Sequence, residues 1–261
     1  METTGKYASV CLAIDEEFLF VKKNDEEMAH LSKLLPMAQE LLAESKLPID
    51  DIDALAVSIG PGSFTGMRIG AAFARGISQA ANIKCIAVNT LEAFTFSCGF
   101  ESSEAALCAP MLDARRGQVY AALYEKNGET AKTEALATDV YMLDEYLRKL
   151  ADYIAQNYEG KEVTIFFTGS GSGKFEEEIK EWANKTSQLN DIAVIPSFEA
   201  IENLEQSAEN IAKAARKKYR AGEFTEYERL LPIYLRKSEA ERKLDLQKQR
   251  ELRLAVDRIN I

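Results

Sequence analysis

The sequence predicts an α/β fold made of two strand–helix halves, and three observations carry that prediction. Short apolar strands alternate with amphipathic helices in both halves, which puts helices on the faces of sheets rather than in a bundle. A glycine turn, Gly60-Pro61-Gly62-Ser63-Phe64-Thr65-Gly66, joins a strand directly to a helix. The 261 residues are 46% hydrophobic and 28% charged, enough core material for one large domain or two modest ones.

Val10, Leu12 and Ile14 alternate with other residues, and Phe18 and Phe20 resume the period after the acidic turn Asp15-Glu16-Glu17, which predicts a hairpin. Leu31, Leu34, Leu35, Ala38, Leu41 and Leu42 then share a helical face. Pro36 lies inside that pattern and predicts a kink, or a regular helix that begins there. Residues 53–60 read as a strand, Thr65 to Ala81 as a helix, and residues 83–88 as a further strand after which Thr90 is placed to cap a helix. The periodicity lapses over Gly99–Ala105, so 1–102 is expected to form a first lobe carrying a helical dimerisation surface, 103–222 a second lobe, and 223–261 a C-terminal segment with an extra helical tail that packs back on the first lobe. In the second, LCAPMLDA and QVYAALYE predict a hairpin across Arg115-Arg116-Gly117. A polar stretch follows, and then a helix between Asp139 and Asn157. VTIFFTG is a strand, FEEEIKEWANK a helix, IAVIP a short strand, and Leu204 to Arg220 a long helix ended by Gly222. The halves share strand–helix order without repeating one another residue by residue. The tail from Glu239 predicts a solvated or partner-docking helix.

The formal net charge of -10 excludes broad attraction to nucleic acid, so an RNA role needs a local basic patch or a basic partner. Cys11, Cys85, Cys98 and Cys108 are scattered with no CxxC pair, as expected of reduced thiols in a cytoplasmic protein. The first residues lack the apolar run of a signal peptide, and no window approaches a membrane span.

His30 is the single histidine, so no two-histidine metal centre is expected, and a histidine-based hydrolase would have to use a residue on an apolar-faced helix. Structural duty for His30 is the favoured reading. TGSGSGK (168–174) resembles a phosphate loop but departs from it at both ends: Thr168 stands where glycine is needed, and Phe175 where Ser or Thr should follow Lys174. A connecting loop is favoured over a residual nucleotide contact. Asp113, Arg115 and Arg116 form either a polar site or a turn salt bridge with exposed arginines. Lys213, Arg216, Lys217, Lys218 and Arg220 cluster at a helix C-terminus, where cations complement the dipole whether or not they meet RNA.

The glycine turn admits two readings. A phosphate cradle uses the free N–H groups of a helix start. Pro61, however, removes one such group and no lysine follows. At helical spacing Gly66, Gly70 and Ala74 form a small-residue stripe beside Ile69, Phe73 and Ile77. Glycine inside a helix costs roughly 0.8–1 kcal/mol relative to alanine, so tight packing, internal or against another chain, is favoured.

GPGSFTGMRIG closely resembles the signature of the TsaB (YeaZ) family of bacterial threonylcarbamoyladenosine biosynthesis proteins. Further matches follow in order: Thr3-Thr4, His30 with Leu34-Leu35-Pro36, Asp113-Ala114-Arg115 with Gly117 and Val119-Tyr120, Thr168-Gly169-Ser170-Gly171, and Pro232 with Tyr234-Leu235-Arg236. The resemblance covers about residues 1–237. It implies a two-lobed actin/Hsp70-like ATPase (ribonuclease H-like) fold, here with a shortened first strand because only Met1 precedes Glu2-Thr3-Thr4. It implies no catalytic residue, no metal and no cofactor, with Thr4, Gly169 and Gly171 the positions where a residual nucleotide contact would fall. It implies pairing with the catalytic paralogue TsaD, the ATPase TsaE in a larger complex, tRNA met through that complex, and a homodimer when the chain is alone. The implied pairing surface comprises Leu31, Leu34, Leu35, Ala38, Gly66, Met67, Ile69, Gly70, Phe73, Ala74 and Ile77. The alternative from the same superfold is an ATP-binding enzyme, a kinase-like ATPase or a glycoprotease-type peptidase.

Overall fold

The computed structural model describes residues 1–14, 17–27, 29–97, 99–100, 105–127, 131–190, 192–236 and 247. The turn residues Asp15 and Glu16, Cys98 and the predicted tail helix lie outside these.

The first lobe holds an antiparallel hairpin, β1 (Ser9–Ile14) with β2 (Glu17–Lys23), and a parallel pair, β3 (Ala54–Gly60) with β4 (Lys84–Asn89). Residues 1 and 2 join them. Glu2 exchanges two backbone hydrogen bonds of 2.9 Å with Ser9 on one side. On the other, the Met1 ammonium donates to the Ala56 carbonyl at 2.8 Å and Ser58 N–H donates to the Met1 carbonyl at 3.2 Å. The shortened first strand is therefore present as a two-residue bridge, and the order across the lobe is β2, β1, residues 1–2, β3, β4.

The second lobe repeats this order as one continuous sheet, β7-β6-β5-β8-β9, from β5 (Leu107–Asp113), β6 (Gln118–Asn127), β7 (Ala131–Met142), β8 (Glu162–Thr168) and β9 (Ala193–Phe198). In both lobes a hairpin runs antiparallel on one flank and two parallel strands complete the other. The chain thus has the two-lobed actin/Hsp70-like α/β fold.

Helices cover the sheets where their apolar stripes dictate. In the first lobe α1 (His30–Ser45) and α2 (Phe64–Ala81) flank one face, and α3 (Thr90–Phe94) follows β4. Asn89, not Thr90, caps α3, accepting from Leu91 N–H at 2.8 Å. Thr90 is instead the first helical residue, buried against Thr4 with 3.3 Å between their hydroxyls. Pro36 sits inside α1, which starts six residues before it rather than at it; Pro36 has no amide to offer the carbonyl four residues back, and that residue, Ser32, is exposed to solvent. In the second lobe α4 (Leu143–Asn157) and α6 (Glu176–Asn190) bury Tyr146, Leu150, Ile154, Ile179 and Ala183 against the sheet, and the short α5 (Ser170–Lys174) follows β8.

Three expectations change. The polar stretch before α4 is a 12-residue strand, β7, held by its ladder to β6; as an edge strand it needs little apolar character. The last helix, α7 (Ala208–Arg220), starts at Ala208 because Ser207 caps it through Glu209 N–H and Asn210 N–H, with a separate 3-10 turn over Ile201–Asn203. α7 also does not belong with the second lobe. Its stripe of Ile211, Ala214 and Ala215 packs on Ile86, Val88 and Ala93, and small alanines let the helix settle close to β3 and β4. The segment after it stays on the first lobe too, where Leu230 is fully buried and Thr225 N–H donates to the Cys85 carbonyl at 2.8 Å.

Candidate functional site

The glycine turn and α2 form the best defined constellation, and the N-terminal segment fills it. Ser63 caps α2, its hydroxyl accepting from Gly66 N–H at 3.2 Å, and its own N–H donates to the Thr4 carbonyl at 2.7 Å. With Pro61 lacking an N–H and the Ser63 and Gly66 amides already engaged, the turn has three fewer donors to offer a phosphate. Gly66 explains itself by space: a Cβ there would lie 1.8 Å from the Thr3 carbonyl oxygen. One turn on, a Cβ at Gly70 would lie 2.3 Å from Thr3 Oγ1. Thr3 Oγ1 in turn donates to the Gly66 carbonyl at 2.8 Å. His30 completes the contact with its Nε2 3.0 Å from the Gly5 carbonyl, buried and structural as expected.

The small-residue stripe therefore admits a backbone, but the backbone is the chain's own. This corrects the predicted pairing surface at five positions: Leu34, Gly66, Met67, Gly70 and Ala74 are buried inside the lobe. A helix turns about 100° per residue, so residues at i and i+4 keep one face, and here that face points inward. The other six positions differ. Leu31 is 80% exposed and Leu35, one turn on, 47% exposed, while Ala38, Ile69, Phe73 and Ile77 are half-buried. Exposed Ala72 and Gly76 lie on the outer face of α2, and a Cβ at Gly76 would meet nothing within 4 Å.

The nucleotide candidates lie in different lobes. Thr4 is buried, its hydroxyl donating to Glu2 Oε1 at 2.7 Å. Gly169, at φ +86, and Gly171 press on the Met111 backbone, where a Cβ would lie 2.4 Å and 3.0 Å from the nearest Met111 atoms, so both let α5 approach β5 closely. Asp113 holds the turn through its backbone, Oδ1 accepting from Arg115 N–H at 2.9 Å, but its ion pair is with Lys174 at 2.8 Å rather than with either arginine. The cluster at the end of α7 is engaged internally. Lys213 donates to the Phe96 carbonyl at 3.1 Å, and Lys218 pairs with Glu92 at 3.4 Å and with Glu223 at 3.7 Å. Among the described residues, no group of three or more His, Cys, Asp or Glu is placed to hold a metal ion.

Two features escaped the sequence. Glu2 is wholly buried with Oε2 unpartnered, beside a gap lined by Thr90, Phe94, Gln206, Ser207 and Asn210 that is too narrow for water. Burial pushes its carboxyl above the ordinary 4.5, against the Thr4 and Ser58 hydrogen bonds that favour the anion. The second feature is a strap, residues 230–236, that crosses between the lobes. Ile233 N–H donates to the Ile59 carbonyl at 2.8 Å in the first lobe, and Arg236 Nη1 donates to the Ala114 carbonyl at 2.7 Å in the second.

The family model described as "TsaD: tRNA N6-adenosine threonylcarbamoyltransferase" matches residues 24–244. The chain is 37% identical over 123 residues to the tRNA threonylcarbamoyladenosine biosynthesis protein TsaB of Haemophilus influenzae, covering 46% of this chain and 50% of that protein. It is 40% identical over 99 residues to TsaB of Escherichia coli, covering 38% and 42%. These matches span half or less of the curated relatives. A solved structure from Pseudomonas aeruginosa, a protein with similarity to peptidase YEAZ, superposes with a TM-score of 0.69 at 25% identity over 90% of this chain and 97% of that one.

Two glycine substitutions should act in opposite directions. Gly66→Ala forces a methyl onto a backbone oxygen that cannot swing away, and overpacking of this kind is expected to destabilise by about 3 kcal/mol despite alanine's better helix propensity. Gly76→Ala meets open space and should stabilise by about 0.5–1 kcal/mol; urea unfolding of both variants reads the two signs.

Glu2→Gln tests the buried carboxyl. A raised folded-state value makes its contribution to stability complete below 4.5 and lost as pH rises through that raised value. Gln keeps an acceptor for Thr4 without ionising, so the variant should be at least as stable at pH 7.5 and show a flatter stability profile above pH 4.5. A wild-type advantage at neutral pH would show that the charged carboxylate is held favourably.

Proposed function

The chain belongs to the family of the tRNA N6-adenosine threonylcarbamoyltransferase TsaD, and to the TsaB/YeaZ family, and from that premise we propose that it is a non-catalytic partner that binds and activates TsaD in threonylcarbamoyladenosine modification of tRNA. The observation that carries this reading is an exposed apolar pair on α1 next to a bare stretch of α2. Leu31 and Leu35 stand out one helical turn apart at 80% and 47% exposure, while neighbouring α2 offers exposed Ala72 and Gly76 flanked by half-buried Phe73 and Ile77. Large apolar side chains exposed together on one helix mark a docking surface more than scattered single ones do. Gly76 and Ala72 let a partner helix approach the α2 backbone closely, and the flanking side chains supply contact area.

The glycine turn supports the non-catalytic part of the reading. Two of its amides, on Ser63 and Gly66, and its glycine spaces are taken up by Ser63 and by residues 3 and 4 of the same chain, which supports an architectural role for the strand–turn–helix element. Activation would then be allosteric: docking stabilises the arrangement of TsaD that is competent for transfer, by the difference in its affinity for the two arrangements. The same face would pair two copies of this chain when TsaD is absent. TsaE and tRNA would join through the assembled complex, with no cofactor held by this subunit.

Co-expression with TsaD followed by size measurement tests the proposal. Leu31→Asp with Leu35→Asp should abolish the complex, since central apolar anchors are commonly worth about 2 kcal/mol or more each. Because both side chains already face solvent, unfolding of the isolated variant should stay close to wild type. A variant that still co-purifies with TsaD at wild-type yield would place the interface elsewhere.

A further inference from the structure

We infer that the β5–β6 turn, together with Arg68 and Arg236, forms a contact for the phosphate backbone of a folded RNA. Arg115 at φ +63 and Arg116 at φ +57 adopt in succession a left-handed conformation that L side chains rarely take. The turn is held in this form from several sides: Asp113 Oδ1 accepts from Arg115 N–H at 2.9 Å, Ala114 N–H donates to Gln118 at 3.0 Å, and Leu143 N–H donates to Gly117 at 3.1 Å. Both arginine side chains are exposed, and neither pairs with a carboxylate among the described residues. Packing therefore does not account for them.

Two more guanidiniums join this turn through the strap. Arg236 donates through one Nη to the Ala114 carbonyl, next to Arg115. Tyr234, two residues before it and so within roughly 7 Å along the backbone, accepts from Arg68 Nε at 2.9 Å. Arg68 is also held with its Cζ 4.0 Å from the Phe64 ring centre. Neither Arg68 nor Arg236 pairs with a carboxylate among the described residues. One hydrogen bond fixes each group, with aromatic contact added at Arg68, and leaves other N–H donors of each fork open, the arrangement suited to phosphate oxygens.

The contacts link Arg68 to Tyr234 and Arg236 to the Ala114 carbonyl beside Arg115 and Arg116, so the four guanidiniums are spread over both lobes. Cations so spread match several phosphates of a polyanion rather than one small anion. On a chain of net charge -10 such a local run is also what RNA contact requires, since the rest of the surface repels a polyanion. The cluster on α7 does not meet that requirement, being engaged internally. The choice of RNA over another polyanion rests on the proposed role in tRNA modification.

The test is anisotropy of the full chain, alone and with TsaD, against an unmodified tRNA transcript and against linear polyphosphate over a range of salt. Arg115→Asn with Arg116→Asn is the informative variant, because asparagine tolerates left-handed backbone better than arginine and the fold should be kept or improved. Wild type should bind the transcript with a steep salt dependence. The variant should lose about ten-fold at low salt and about 1.5 from the slope of log K against log salt, as expected for two lost phosphate contacts. Its melting temperature should be unchanged or higher, and its co-purification with TsaD intact. Lys217→Glu with Lys218→Glu should leave the slope of wild type. Transcript binding unaltered in the asparagine variant, no transcript binding by wild type in either form, or stronger binding to polyphosphate at equal charge would each overturn the inference. Transcript binding by a wild-type chain that fails to capture TsaD would instead sink the partner role and leave this contact standing.

Discussion

The carbonyl oxygen of Thr3 occupies the space where residue 66 would carry a Cβ, and the first lobe is organised around that approach. One short segment, residues 1–5, reaches β3 through Met1, β1 through Glu2, α2 through Thr3, the glycine turn through Thr4, and α1 through the Gly5 carbonyl on His30. Each bond is individually modest, on the order of 1 kcal/mol net. Their effect is collective, because the segment turns two separate strand pairs into one sheet order. Two glycines at helical spacing are what permit it, and their helix-propensity cost is offset by the packing they allow.

That arrangement decides which surfaces remain available. With the inner face of α2 closed against residues 3 and 4, its outer face exposes the small residues Ala72 and Gly76, while Leu31 and Leu35 on α1 are apolar side chains the lobe does not bury. On the opposite side of the lobe, α7 returns from the second lobe and covers β3 and β4, and the segment after it passes Cys85 to pack residues 227–230 against α2 and the core beneath it. The strap at 230–236 then ties the first-lobe turn at Ile59 to the second-lobe turn at Ala114.

Electrostatics divide along the same lines. The basic residues of α7 meet carbonyls and carboxylates of their own lobe. Lys174 neutralises Asp113 at the foot of the β5–β6 turn, and the arginines of that turn stand without such a partner among the described residues. The buried carboxyl of Glu2 is the opposite case, a charge removed from solvent with one oxygen unmatched and its proton affinity raised in consequence. Neighbouring polar groups thus differ in what they can do because burial and partners differ, not because residue types do.

The amino-acid sequence by itself determined the strands of both lobes except β7, the two long helices of the first lobe, the structural place of His30, and the fact that Gly66 and Gly70 serve close packing. Local periodicity, caps and glycine spacing encode these directly, since each depends on residues near one another along the chain. β7 was illegible because an edge strand draws its identity from the ladder to β6 rather than from its own side chains. What the glycines pack against, the placement of α7 on the first lobe, the common topology of the two sheets and the meeting of Arg236 with the Ala114 carbonyl were decided only by tertiary structure. All four join residues between 63 and 199 positions apart or compare strand orders across the whole chain, and local pattern carries no record of which distant surface a face will meet.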